Sequence, residues 1–139
     1  MGRTATATIS LGRFVFIATL PTVTSKVAGT AAFWVADLVR FERAVAKWVI
    51  EHGAMSPETF RLLRKTANLS LLELGELLGK DKAEISRWEN GYHKFSVCTW
   101  NTVADLALDA MGGKQNAAGR LRAIVAAKKH SQRPIKIAV

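Results

Sequence analysis

A chain of 139 residues has room for one folded core or a core with an appendage, and its 20 Lys and Arg against 11 Asp and Glu, a net charge of +9, suit a polyanionic partner. Apolar residues make up 49%, which excludes disorder throughout, and a lone cysteine, Cys98, excludes an intramolecular disulfide or a cysteine-rich metal site. The apolar run at residues 14–20 is too short to span a membrane, and its β-branched and aromatic content, closed by Pro21, fits a strand better than a signal-peptide core.

Residues 4–20 alternate Thr and Ala before Ile9, pass Leu11-Gly12-Arg13 and continue as Phe-Val-Phe-Ile-Ala-Thr-Leu, which predicts a β-hairpin turning near Gly12. Residues 21–33 hold Pro, Thr, Ser, Gly and Ala in loop-like proportion and read as a linker or irregular loop. From Asp37 the period turns helical. Leu38, Phe41, Val45, Trp48 and Val49 form one stripe, with Asp37 as N-cap and Gly53 as stop, and so aromatic a stripe is a core or a dimer face.

Ser56-Pro57-Glu58 opens the next helix with a capping hydroxyl, a first-turn proline and an acid near the positive helix end. Phe60, Leu63 and Ala67 face inward, and Asn68 ends it in the left-handed conformation. Residues 70–91, SLLELGELLGKDKAEISRWENG, read as two short helices capped by Ser70 and Asp81. Leu74, Leu77 and Leu78 share a face of the first, and Ile85 and Trp88 a face of the second. Gly75 falls where crossing helices need a residue without bulk, and Gly79 closes the first helix where a positive φ is needed. The combination predicts a helix-turn-helix.

Residues 92–95 form a basic loop, and Ser96 caps a helix with Trp100, Val103, Ala107 and Met111 inward, stopped by Gly112-Gly113. Cys98, on the same helix, reads as a small buried hydrophobe. Asn116 caps one more helix with Leu121, Ile124 and Val125 inward, Pro134 stops it, and residues 135–139 are read as a final strand.

Residues 57–111 resemble the XRE family, the phage Cro and lambda-repressor type of helix-turn-helix, through Gly75, Gly79, Ile85, Trp88 and the Glu89-Asn90-Gly91 ending. The resemblance implies a mainly α fold, a five-helix helix-turn-helix domain of lambda-repressor type, here with a small N-terminal β-hairpin and a C-terminal strand. It implies that the second helix of the pair, residues 82–90, enters the major groove with its N-terminal end towards the bases. Lys82, Ala83, Ser86 and Arg87 then fall on base-reading positions, and Ser70, Asn90, His93 and Lys94 on phosphate-contacting ones. Arg64 and Glu89 fall on positions that form an ion pair beneath the DNA surface in that family. Leu71 stands where the family usually has Gln, and Lys80 where it usually has a buried Val.

A narrower resemblance covers the layout. A short β region, the helix DLVRFERAVAKWVIEHG, the capped PETFRLLRK and the ISRWENG ending together resemble antitoxin-type regulators of the MqsA class. There a zinc ribbon built on CxxC pairs precedes the helical domain and meets a toxin. The corresponding loop here, residues 21–26, has no cysteine, so neither structural zinc nor any other metal or cofactor is expected.

No enzymatic chemistry is expected either. His52, His93 and His130 lack metal-ligand spacing, Cys98 has no nucleophile signature, and Glu73, Glu76, Glu84 and Glu89 are spaced as helix residues. Charge is uneven: residues 56–91 hold six basic and six acidic side chains, and residues 92–139 eight and two. Three segments follow: an appendage at 1–35, the helix-turn-helix domain at 36–112, and a basic helix and strand at 113–139. The leading expectation is a cytoplasmic, nucleoid-associated repressor that binds double-stranded DNA as a homodimer on a palindromic operator. The alternatives are an antitoxin-like module that neutralises a toxin-like protein partner and autoregulates through DNA, and a nucleoid-coating protein without sequence preference.

Overall fold

The computed structural model describes residues 3–24, 31–112 and 134–139. The chain divides into two compact units, Met1–Val45 with Ser131–Val139, and Ala46–His130.

The first unit is built on a sheet. Strand β1 (Thr4–Leu11) pairs antiparallel with β2 (Phe14–Thr24) in a register running from Leu11 opposite Phe14 to Thr4 opposite Pro21. Gly12, at φ 64°, supplies the left-handed residue that a two-residue hairpin loop requires. Period-two alternation turns Phe14, Phe16, Ala18 and Leu20 to one buried face, with Ala7 buried opposite Ala18. The chain from 21 onward is not a plain loop: β2 runs on to Thr24 and pairs with β3 (Ala31–Phe33). Thr22 and Val23 are β-branched, and Pro21 is tolerated because it sits at the end of the β1 register. Strand β4 (Ile135–Lys136), shorter than the five residues read from the sequence, pairs parallel to β2 at Phe16 and Ile17. The C-terminal strand therefore belongs with the N-terminal sheet, a pairing that no local signal encodes.

Helix α1 (Val35–His52) runs across the division between the units. It starts two residues before Asp37, which is a first-turn acid bonded to Arg40 instead of the N-cap. Phe41, Val45, Ala46, Val49 and Ile50 are buried, Leu38 is exposed, and Gly53 ends the helix.

The second unit holds α2 (Pro57–Thr66), α3 (Leu71–Leu78), α4 (Lys82–Glu89) and α5 (Val97–Ala110), with α2 packed on α5 and α4, and α3 on α4. Ser56, Ser70, Asp81 and Ser96 each accept from the backbone N–H three residues on, which satisfies one orphan donor per helix. Asn68, at φ 59°, ends α2 in the left-handed region. An aromatic chain fills the centre: Trp88 meets Phe60 edge-on at 5.9 Å between ring centroids, Phe60 stacks on Phe95 at 4.7 Å, and Phe95 on Trp100 at 6.1 Å. Among the described residues Trp100 has the buried indole N–H that lacks a hydrogen-bond partner.

Two expected core residues face out. Leu77 is 61% exposed, because α3 packs through Leu74 and Gly75, and at 100° per residue Leu77 lies well round from that face. Cys98 is exposed, since two residues before Trp100 is the opposite side of α5. The helix expected at residues 116–130 lies outside the described residues. No helix among the described residues is long and apolar enough to cross a membrane.

Candidate nucleic-acid interface

The geometry of the helix pair is set at Gly75 and Gly79. A Cβ on Gly75 would collide with the carbonyl oxygen of Lys80, so only glycine lets the turn backbone cross α3 this closely. The close approach is to the turn itself. Gly79 takes φ 69°, its N–H bonds back to the Gly75 carbonyl, and Lys80 N–H reaches the same oxygen at 2.8 Å. Asp81 then caps α4 through Glu84 N–H at 2.8 Å.

Burial of Ile85 and Trp88 fixes which side of α4 is presented. At 100° per residue, Ala83 and Asn90 lie opposite that buried pair, with Ser86 and Arg87 flanking them and Lys82 at the edge. Lys82, Ala83, Arg87 and Asn90 are exposed and Ser86 half-buried. The four expected base-reading residues thus share one outward surface. Asn90 is the C-cap of α4 and donates its amide to the Ser86 carbonyl at 2.8 Å. His93 and Lys94 are exposed in the loop that follows, which Phe95 anchors against Phe60 and Trp100. Ser70 is exposed at the α3 N-terminus, its hydroxyl accepting from Glu73 N–H and its own N–H donating to the Glu73 carboxylate.

Beneath the surface, Arg64 grips Glu89 with two hydrogen bonds, Nε to Oε2 at 2.6 Å and Nη2 to Oε1 at 2.9 Å, with side chains only 10% and 5% exposed. Its remaining Nη1 donates to the Leu69 carbonyl at 2.8 Å. One guanidinium therefore ties the end of α2, the entry to α3 and the end of α4 together. Arg61 adds a longer contact to Glu89 at 3.8 Å.

One site residue is not singled out by the sequence. Glu84 accepts from His93 Nδ1 at 2.8 and 3.1 Å and from Arg87 Nη1 at 3.3 Å. The His93 hydrogen bond, with Arg87 beside it, holds the Glu84 carboxyl below the usual carboxylate range. The spacing of three between Glu84 and Arg87 is readable as a helical pair, whereas the His93 contact depends on the loop folding back. Among the described residues no group of three or more His, Cys, Asp or Glu could hold a metal ion.

The family model described as Helix-turn-helix matches residues 60–98. That segment holds α3, α4, the Arg64–Glu89 pair and the loop through His93 and Lys94. A helix-turn-helix of this kind is a DNA-binding module of transcription regulators. No curated protein and no solved structure matches the chain.

Proposed function

We propose that this chain, whose residues 60–98 form a helix-turn-helix DNA-binding module, is a sequence-specific repressor that acts as a homodimer on a palindromic operator. The observation that carries the reading is the outward surface of α4. Burial of Ile85 and Trp88 leaves the exposed Ala83 and Arg87 and the half-buried Ser86 on one outward strip with Lys82 at its N-terminal edge, the end that meets base edges in this motif.

Each residue has a role that its chemistry fits. Arg87 offers a donor fork matching the O6 and N7 acceptors of guanine, and Lys82 a second cation for the same groove. Ser86 can donate or accept, and Ala83 makes room for close approach or meets a thymine methyl. Lys94, His93, Asn90 and Ser70 contact phosphate, which sets register without reading sequence. Selection of bound duplexes from a random pool at two salt concentrations tests the reading. A recovered palindrome, with affinity falling steeply as salt rises, is expected; a pool that stays random would favour a coating protein.

The antitoxin-like reading draws on the first compact unit of the chain, the one that carries the sheet. A protein held by residues 1–35 after co-purification would support it, provided Arg87→Ala leaves that complex intact.

A further inference from the structure

We propose that Glu84 is a positioning residue that sets the sequence discrimination of this surface, an inference that rests on the functional reading above. It lies in the first turn of α4, one turn from Arg87, with its side chain 25% exposed. One carboxylate oxygen is 2.8 Å from His93 Nδ1 and the other 3.3 Å from Arg87 Nη1, so a single anion joins the groove-facing helix to the phosphate-facing loop.

An anion here works against bulk affinity. It repels every phosphate that approaches, and it offsets part of the charge of Arg87, the cation beside it. Glu84 is one of the six acidic side chains that balance six basic ones over residues 56–91. What the carboxylate supplies is orientation. Its contact uses one of the guanidinium donors and constrains the plane of the fork, leaving the other donors to address a base. For a random duplex, drawing Arg87 or His93 onto a phosphate exchanges one anionic partner for another and returns little. A guanine in the right place adds O6 and N7 to a guanidinium already aimed, with no partner lost. Discrimination then comes partly from a cost set against the wrong sites.

The experiment uses the full chain, the duplex recovered by selection and a scrambled duplex of equal length, with Glu84→Gln, Arg87→Ala and the double variant. Glu84→Gln should bind the scrambled duplex roughly two- to fivefold more tightly, because a charge facing phosphate is gone. Its cognate-to-scrambled ratio should fall about tenfold, with the loss at the base pair that Arg87→Ala also relaxes. In the Arg87→Ala background, Glu84→Gln should leave the ratio unchanged, a coupling that a merely structural role would not give. His93→Gln, which leaves α4 untouched, should move the ratio in the same direction by roughly two- to threefold, because Glu84 loses its tether. A specific wild-type protein whose ratio survives both Glu84→Gln and His93→Gln within about twofold would overturn this inference alone. A wild-type protein that binds neither duplex would overturn the functional reading and this inference with it.

Discussion

The Arg64 guanidinium shows how one buried side chain can fix three helices relative to one another, through Glu89 and the Leu69 carbonyl. Its partner Glu89 is 5% exposed, so replacing the arginine strands a carboxylate inside the unit and also frees the Leu69 carbonyl. Arg64→Met should lower stability by about 3–5 kcal/mol, moderated by Arg61 at 3.8 Å from Glu89. Chemical denaturation checks this, and a loss under about 1 kcal/mol would mean the pair is solvated in solution. The surface residues divide differently. Arg87→Ala should lose about 1–3 kcal/mol at the cognate site and relax one base pair, while Lys94→Ala should weaken cognate and random duplexes alike and reduce the salt slope by about one phosphate. Equilibrium binding at several salt concentrations separates them. The outward strip on α4 was legible because the spacing of Ile85 and Trp88 sets it. Position in the resembled family, not spacing, pointed to Arg64 and Glu89, which are 25 residues apart. The Glu84–His93 contact was not legible, since it needs the loop to return over α4.

At the scale of elements, the helices of the second unit were readable because their stops and starts are local. Ser56, Ser70, Asp81 and Ser96 bond three residues ahead, and Asn68 and Gly79 need only their own φ. The β2 extension and β3 were not readable, because the pairing of Thr22 with Phe33 joins two stretches of loop-like composition. Gly75→Ala tests the helix pair directly. The added methyl meets the backbone carbonyl of Lys80, which cannot swing aside as a flexible side chain can. A loss of about 1–3 kcal/mol is expected, against the small gain alanine normally brings inside a helix. The α3 cap gives a pH prediction. The Ser70 backbone N–H and then its hydroxyl hold the Glu73 carboxyl below its ordinary value. A carboxyl depressed in the folded state contributes stability that is full above the unfolded pKa and is lost as pH falls through the folded one. Stability should therefore decline with acid from about pH 4.3 downward, and Glu73→Gln should flatten that limb while lowering stability at neutral pH. Parallel acid limbs for the two proteins would show that the cap does not titrate.

At the scale of the whole molecule, charge and apolar exposure point to what the chain assembles with. Residues 92–139 hold eight basic and two acidic side chains, so the excess of positive charge is concentrated after α4, outside the balanced segment 56–91. One recognition helix of a helix-turn-helix reaches only a few base pairs, and two copies related by a twofold axis double the readout on half-sites one helical turn apart. A surface able to join those copies lies at the start of α1, where Trp34 and Leu38 and then Val35 and Val39 recur four residues apart and are exposed, Val35 at 76%. Apolar residues so grouped are costly in water and lose that cost when a second copy covers them. Light scattering at micromolar concentration should therefore give a mass near twice 15.2 kDa. Val35→Glu with Val39→Glu should shift it towards the single-chain mass and keep the helical content, since both side chains are exposed and drop out of no core, with the melting temperature lower only by what association contributes. The same double variant should retain contact with one half-site and lose the benefit of the second, so that its affinity no longer depends on half-site spacing. A wild-type protein that stays at the single-chain mass with and without duplex would refute the dimer, and a palindrome recovered by selection would then have to be read by two chains that meet only through DNA.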